Sequence, residues 1–170
     1  MLTELHLVRH ARPDAGGDVA ALVAAGVLPA SARWFSSPEP AAMQTARLLT
    51  TEAVTVYDAL GEVTRPAGAV DDLEDCVRRG FAEPDRPSPD WETCAAAGQR
   101  IGRGVRKLLA AYPDERLVVV GHGIALTLLV AELTGTPPDA DAWAGMTYPD
   151  HCVLDGPDAS RLDRGWSSWR

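Results

Sequence analysis

The segments LHLVRH (residues 5–10) and LVVVGHG (residues 117–123) decide the fold, because each is an apolar run that ends at a histidine. Short runs of Leu and Val are typical of β-strands that are buried on both faces. In an open α/β sheet, the ligand crevice lies beyond the carboxyl ends of the strands. We therefore expect His10 and His122 to meet at one edge of a sheet, although they are far apart in the sequence.

The remainder of the chain alternates between helical and extended patterns. The predicted elements are, in chain order, a helix at 18–27, a strand at 32–36, a helix at 39–49, a strand at 54–60, a partly helical stretch at 66–84, a helix from about residue 91, a helix at 124–133 and short strands at 151–154 and 161–163. Glu39 and Glu92 fall beside predicted helix starts, where an acidic side chain is favourable. This alternation predicts an α/β fold, a three-layer α/β/α sandwich with a mostly parallel central sheet.

Length and composition limit the classes of protein. The chain has 170 residues, which suits a single domain over residues 1–170. A net charge of −8 argues against nucleic acid or an anionic membrane as partner. No apolar run reaches the roughly 18 residues that span a bilayer, and the three scattered cysteines favour a reducing compartment, so we expect a cytoplasmic protein. The segment GWSSWR (residues 165–170) is either a docked tail or part of a subunit contact.

The residues around the two strand-end histidines favour phosphoryl transfer. A histidine can attack phosphorus and form a covalent intermediate, and a guanidinium such as that of Arg9 stabilises the charge on the transferring group. Neither His10 nor His122 has a second ligand at metal-binding spacing, so no metal is expected. His6 and His151 lie in predicted strands and are expected to be structural.

Four motifs, in this order, resemble the histidine phosphatase superfamily, whose fold is called phosphoglycerate mutase-like. They are LVRHARP (residues 7–13), SSPEPAAMQTA (residues 36–46), DALGE (residues 58–62) and VVVGHG (residues 118–123). The resemblance implies a phosphoglycerate mutase-like fold, a small phosphorylated substrate and no cofactor, either metal or organic.

The resemblance also implies roles for individual residues. His10 matches the histidine that becomes phosphorylated, and Arg9 matches its phosphate-binding neighbour. His122 matches the second catalytic histidine, and Gly123 follows it with a backbone N–H for the phosphate. Glu62 matches the acid that protonates the leaving oxygen and then activates water.

Three positions depart from the family pattern. Ala41 stands where many members have a second phosphate-binding arginine, Gly16 stands where an asparagine is frequent, and Ala11 replaces a glycine. We expect Arg65 to supply the missing phosphate-binding guanidinium, with Arg12 as a second candidate. The alternative for Arg65 is a solvated loop charge.

These observations predict a phosphoric monoester hydrolase that works without metal through a phosphohistidine on His10. Mutase activity is disfavoured, because the phosphoglycerate mutases of this family are longer and have extra segments that hold both ends of the substrate. A protein phosphohistidine phosphatase fits the size of the chain, but such small members generally lack an acid equivalent to Glu62. The alternative class is a catalytically weak or inactive member that binds a phosphorylated ligand or partner protein, and Ala41 is its motivation.

Overall fold

The computed structural model describes residues 3–13 and 16–170. The strands and helices are, in chain order, β1 (Leu5–Arg9), α1 (Gly16–Ala24), β2 (Arg33–Ser36), α2 (Pro40–Leu49), β3 (Val54–Val56), α3 (Leu73–Ala82), α4 (Cys94–Ala111), β4 (Leu117–Gly121), α5 (Gly123–Thr134), α6 (Ala140–Ala144), β5 (Asp150–Asp155) and β6 (Arg161–Arg164). Two short 3-10 turns are formed by Asp58–Leu60 and Pro157–Ala159.

The central sheet has the strand order β3-β2-β4-β1-β5-β6. Strands β3, β2, β4 and β1 pair in parallel, whereas β5 pairs antiparallel with both β1 and β6. Val8 of β1 lies opposite Val120 on one side and His151 on the other. The prediction of a mostly parallel sheet is therefore confirmed. Because β1 and β4 are parallel neighbours, the residues that follow them emerge at the same edge.

Helices cover both faces of this sheet. On one face, Leu7 and Val119 pack with Ile101 of α4 and Leu129 of α5 in a fully buried cluster. On the other face, Val8 and Val120 pack beneath α1 and α2 through the side chains Leu22, Ala42 and Ala46. The alternation of side chains along β1 and β4 thus feeds two separate apolar layers, which confirms the three-layer arrangement.

Strand β3 is shorter than predicted, because the chain leaves the sheet after Val56 and folds into the turn Asp58–Leu60. Leu60 is fully buried against α4. Gly104 makes this approach possible, since a Cβ at that position would come within 2.6 Å of the Ala59 Cβ. The turn, which packs tightly on α4, therefore forms in place of the last predicted strand residues. It brings residues 61–63 to the carboxyl edge of the sheet.

Helices α3 and α6 lie together at that edge, and α6 has no counterpart among the predicted elements. Val77 and Phe81 of α3 pack with Trp143 of α6 and with Met146 in a third apolar cluster, which also includes residues of α4 and α5. None of the helices described for residues 3–13 and 16–170 combines the length and apolar character needed to cross a bilayer.

His6 and His151 form a buried pair within the sheet, in agreement with a structural role. The His6 Nε2–H donates to Glu4 Oε1 at 3.0 Å, so His6 Nδ1 accepts from His151 Nε2 at 3.0 Å. Burial lowers the pKa of both histidines, that of His151 to about 4. Both rings are therefore neutral at pH 7.

Candidate active site

His10 and His122 meet at the carboxyl edge of the sheet, as the two strand-end histidines predict. Their ring centroids are 5.0 Å apart. His10 follows β1 directly, and its backbone N–H donates to the Gly121 carbonyl at the end of β4 at 2.9 Å. His122 follows β4 and is the residue before the first turn of α5. The parallel pairing of β1 with β4 is what brings the two rings together.

A hydrogen bond to the backbone fixes the tautomer of the His10 ring. Its Nδ1 lies 2.8 Å from the Ala11 carbonyl oxygen, which can only accept, so Nδ1 carries the hydrogen. The neutral ring then has its lone pair on Nε2. Burial lowers the pKa of His10; the bond to Ala11 opposes this, while the neighbouring His122 and Arg9 lower the pKa further. His10 is therefore an unprotonated base at neutral pH, which is the form that a nucleophile requires.

His122 presents an N–H to the same pocket. The Ser37 hydroxyl donates to Glu39 Oε2 at 3.0 Å, so the Ser37 oxygen is free to accept from His122 Nε2 at 2.7 Å. The Glu39 carboxylate also contacts His122 Nε2. Nε2 of His122 therefore carries a hydrogen, and the ring serves this pocket as a donor.

Arg9 is nearly buried and has one unsatisfied donor. Its guanidinium lies over the Tyr148 ring, 3.6 Å from the centroid, and donates to the Met146 carbonyl at 3.2 Å. Its Nε has no hydrogen-bond partner among the residues that the structure describes. An unpaired buried donor is costly, so the site is suited to an anion that would complete its hydrogen bonds.

Gly123 lets this guanidinium lie against the first turn of α5. A Cβ at position 123 would come within 3.1 Å of the Arg9 Nε, which is tighter than ordinary contact. Gly123 is also the first residue of α5, so its N–H has no acceptor within the helix. A guanidinium and a helix N-terminus thus converge, and both favour a bound phosphate.

The Glu62 carboxylate lies over the same helix N-terminus. Its Oε1 accepts from the backbone N–H of Ala125 at 2.8 Å and of Val63 at 2.9 Å. Its Oε2 accepts from the N–H of Ile124 at 3.2 Å. Three backbone donors fix the orientation of the carboxylate, and Oε2 keeps a lone pair that can hold a proton.

Arg100 and Glu92 brace the loop that carries Glu62. Arg100 donates to the carbonyl oxygens of Ala59, Gly61 and Glu62 at 2.9–3.2 Å, and it forms an ion pair with Glu92 at 2.7 Å. Glu92 lies directly before the N-cap residue of α4, close to the expected helix start, and its carboxylate accepts from Arg100. The Thr93 side chain caps α4 by accepting from the backbone N–H of Ala96 at 3.1 Å.

The two arginines considered as replacements at the Ala41 position lie near different aromatic rings. The Arg65 guanidinium carbon is 5.9 Å from the centroid of the Trp91 ring. The Arg12 guanidinium is exposed and lies 5.1 Å from the centroid of Tyr148, the same ring on which Arg9 stacks. Ala41 itself lies in α2. Compensation by Arg65 stays a prediction.

Two residues of the site were not identified from the sequence. Glu39 is the N-cap residue of α2 and has an extended backbone, but its side chain makes no capping hydrogen bond and instead contacts His122. Tyr148 lies in a loop without a recognisable motif, and its ring also lies 5.5 Å from that of His10. The signal for Glu39 was an acid two residues after the serine of the motif; no comparable signal marked Tyr148.

A cavity of about 630 Å³ adjoins the side of the site on which Arg9 lies. It is lined by Arg9, Arg12 and Tyr148 from the site and by residues of α1, α3 and α6 that include Asp18, Glu74 and Trp143. Within residues 3–13 and 16–170, no three His, Cys, Asp or Glu side chains converge in a way that would hold a metal ion.

Sequence comparison identifies the family. The Histidine phosphatase superfamily (branch 1) matches residues 14–156, a range that includes Glu62 and His122 and begins shortly after His10. The uncharacterized phosphatase PhoE of Bacillus subtilis (strain 168) is 34% identical over 56 residues, which are 33% of this chain. That alignment spans only 29% of the length of the relative.

Solved structures share the fold over nearly the whole chain. A mycobacterial glucosyl-3-phosphoglycerate phosphatase aligns with a TM-score of 0.74 and 20% identity over 97% of this chain and 99% of its own. A mutant phosphoserine phosphatase from Entamoeba histolytica, in complex with phosphoserine, aligns with a TM-score of 0.75 and 15% identity over 99% of this chain and 98% of its own. With the family match over most of the sequence, this chain belongs to the histidine phosphatase superfamily, branch 1.

Proposed function

We propose that this protein is a metal-independent phosphatase that hydrolyses a small phosphomonoester through a phosphohistidine on His10. The observation that carries the proposal is the state of His10, whose Nδ1–H is committed to the Ala11 carbonyl and whose Nε2 lone pair is free. Around it lie an unsatisfied guanidinium nitrogen of Arg9 and the Nε2–H of His122. A nucleophile beside two donors for an anion is the arrangement that phosphoryl transfer needs.

The residues divide the reaction between them in two steps. Arg9, His122 and the Gly123 N–H bind the non-bridging oxygens, and His10 Nε2 attacks phosphorus while the bond to the leaving oxygen breaks. Glu62 gives its proton to that oxygen. Glu62 then removes a proton from water, which attacks the phosphohistidine and releases inorganic phosphate, returning His10 and Glu62 to their first state.

The proposed substrate is a small phosphorylated molecule with polar groups beyond the phosphate. The cavity beside Arg9 offers both a cation, Arg12, and the carboxylates Asp18 and Glu74 to the leaving group. Two relatives of the same fold are named for phosphoserine and for glucosyl-3-phosphoglycerate, which are both small phosphomonoesters. We further propose that Arg65, or else Arg12, contributes the guanidinium that Ala41 lacks.

A second candidate function is a weak or inactive family member that binds a phosphorylated ligand. Two features favour it: Ala41 cannot bind phosphate, and the Glu39 carboxylate contacts the nitrogen of His122 that would hold the phosphate. A charged hydrogen bond is worth about 1.5–3 kcal/mol, so loss of one guanidinium would lower affinity by about one to two powers of ten.

The test is hydrolysis of p-nitrophenyl phosphate with a chelator present, for the wild type and His10→Ala. We expect turnover in the wild type alone, together with a phosphoenzyme that is stable to alkali and labile to acid. Equal turnover in both proteins would exclude His10 as the nucleophile. Phosphate binding without turnover or phosphoenzyme, for aryl and alkyl phosphates alike, would establish the second candidate.

Glu62→Gln separates the proposed acid from the nucleophile. An alkyl phosphate has a poor leaving group that needs a proton, whereas p-nitrophenolate leaves without one. We therefore expect Glu62→Gln to slow phosphoenzyme formation much more with an alkyl phosphate than with p-nitrophenyl phosphate. Equal slowing with both substrates would remove Glu62 from the role of proton donor.

A further inference from the structure

Glu39 places a carboxylate inside a pocket whose other groups are donors for an anion. Its Oε2 accepts from the Ser37 hydroxyl at 3.0 Å and contacts Nε2 of His122. Both of its oxygens lie 3.3 Å from the backbone nitrogen of Glu62. Glu39 therefore joins α2, α5 and the loop of the proposed acid at one point, which is also where the phosphate would contact His122.

The carboxylate of Glu39 is an anion at any pH near neutrality. Burial by itself would raise its pKa, but the bonds from His122, Ser37 and the Glu62 N–H outweigh burial and lower the pKa to about 2. The pocket therefore holds a negative charge beside Nε2 of His122. Position 41 is an alanine, so no positive charge at that position offsets it.

A bound phosphate and the Glu39 carboxylate compete for the same donor. Nε2 of His122 carries one hydrogen, and the Glu39 carboxylate and the Ser37 oxygen already contact it. Two anions that share one donor also repel each other. The Glu39 side chain is 43% exposed, so it has solvent into which the carboxylate can turn when another anion arrives.

We propose that Glu39 is an internal competitor of phosphate, which occupies His122 in the empty site, turns away when the phosphoryl group binds, and returns after hydrolysis. The exchange makes and breaks hydrogen bonds only. It keeps the affinity of the enzyme for inorganic phosphate low, so product leaves readily and inhibits weakly. This role rests on the proposed function, since it takes His122 to be the phosphate contact. Glu39 is accordingly an affinity-determining residue and takes no part in the chemical step.

Calorimetric titration with inorganic phosphate tests this role without any need for turnover. We expect Glu39→Gln, which keeps the shape of the side chain and removes its charge, to bind phosphate about tenfold more tightly than the wild type (about 1.4 kcal/mol). Glu39→Asp keeps the charge but shortens the reach to His122, and its affinity should fall between the two. Thermal melting of each variant checks that it is folded.

Glu52→Gln is the matched control. Glu52 is exposed in the segment before β3, and its substitution changes the net charge of the protein by the same amount. Its phosphate affinity should equal that of the wild type. The proposal is overturned if Glu39→Gln binds phosphate within twofold of the wild type, if Glu52→Gln tightens binding equally, or if no variant binds phosphate at all.

The same proteins distinguish failure of this inference from failure of the proposed function. Wild-type turnover through a phosphoenzyme, with unchanged phosphate affinity in Glu39→Gln, would overturn the competitor role and leave the phosphatase intact. Tighter phosphate binding to Glu39→Gln, in a protein that forms no phosphoenzyme, would support the competitor role and overturn the phosphatase. Support for both requires that Glu39→Gln lowers the inhibition constant of phosphate and the KM for p-nitrophenyl phosphate together.

Discussion

The two site histidines are set apart by what their ring nitrogens contact. His10 gives its Nδ1–H to a backbone carbonyl and keeps Nε2 unprotonated. His122 directs Nε2 at the Ser37 oxygen and the Glu39 carboxylate, and both of these accept. One ring is thereby a base and the other a donor, which fits the proposed division into a nucleophile and an anion-binding group.

His10 should titrate below the ordinary histidine value of 6.5. Burial lowers its pKa by disfavouring the imidazolium, so the proposed nucleophile should stay neutral as pH falls from 7 toward that lowered pKa, and its neutral form should be lost below that pKa. The measurement is NMR titration of the imidazole Cε1–H, with the His10 signal assigned by its loss in His10→Ala. This readout avoids the ionisation of the phosphate substrate itself.

The comparison group for this titration is within the protein. The buried pair His6 and His151 should also remain neutral below pH 6.5, with His151 titrating at about 4. An inflection for His10 at or above 6.5, while His151 behaves as expected, would contradict the burial argument for His10 and with it the neutral nucleophile.

At the scale of residues, the sequence predicts the position of a side chain that directly follows a strand. It does not predict the position of a side chain whose direction depends on tertiary contacts. His10 and His122 could be found because apolar strands point them to one edge. From the sequence, Glu39 is expected to be an acid beside a helix start. Its neighbours in the sequence do not reveal that the extended backbone directs the carboxylate toward a histidine distant in the sequence. Tyr148 lies in a loop, and its contact with Arg9 exists only after β5 has paired with β1.

At the scale of elements, α4 is the support on which the proposed acid is mounted. Arg100 on α4 makes three bonds to the carbonyl oxygens of the Ala59–Glu62 loop and is itself held by Glu92. Such a planar, bidentate arrangement is specific to arginine. After the Asp58–Leu60 turn, the loop has no regular backbone pairing. The Arg100 guanidinium therefore supplies hydrogen bonds that a neighbouring strand would otherwise supply.

Arg100→Lys should lower kcat by about tenfold or more with an alkyl phosphate, because an ammonium cannot span three carbonyls and Glu62 becomes loosely placed. KM should change little, since Arg100 is not one of the groups that are proposed to bind phosphate. The loss should shrink with p-nitrophenyl phosphate, whose leaving group needs no proton. This dependence on the leaving group identifies a positioning role and would not arise from general destabilisation.

Arg103→Lys is the matched control for this prediction. Arg103 lies on the same helix, is exposed, and donates through Nε to the Gln99 carbonyl of its own helix at 3.1 Å. Its steady-state kinetics should equal those of the wild type. If Arg100→Lys loses kcat equally with both substrates, then Arg100 acts on the stability of the fold and not on Glu62.

A helix or strand could be predicted from the sequence where a single apolar pattern runs along it. Helix α4 and strand β4 have such patterns and lie close to their predicted positions. The segment 54–60 reads as one strand, but its second half follows a close contact between Ala59 and Gly104 that only the tertiary structure creates. Helix α6 has five residues, too few for a periodic pattern to be recognised.

At the scale of the whole molecule, one buried carboxylate links the C-terminal segment to the active-site loop. Asp150 is fully buried at the start of β5 and accepts hydrogen bonds from Thr147, His151, Ser167 and Trp169. Of the two alternatives for residues 165–170, the structure shows a segment docked on its own chain. The same carboxylate fixes the residue beside Tyr148, so the tail helps to place the ring on which Arg9 stacks.

Asp150→Asn should lower the free energy of unfolding by about 2–4 kcal/mol, as measured by urea denaturation. Oδ1 accepts three N–H donors and Oδ2 accepts one N–H and the Ser167 hydroxyl, so an amide NH2 in either position faces at least one buried donor without an acceptor.

Trp169→Phe removes a single donor and should cost about 1 kcal/mol. Asp163→Asn, a half-exposed acid on β6, should stay within about 0.5 kcal/mol of the wild type. Equal stability of Asp150→Asn and Asp163→Asn would mean that the tail is not held by this carboxylate, and the link from the C-terminus to Arg9 would then have to be abandoned.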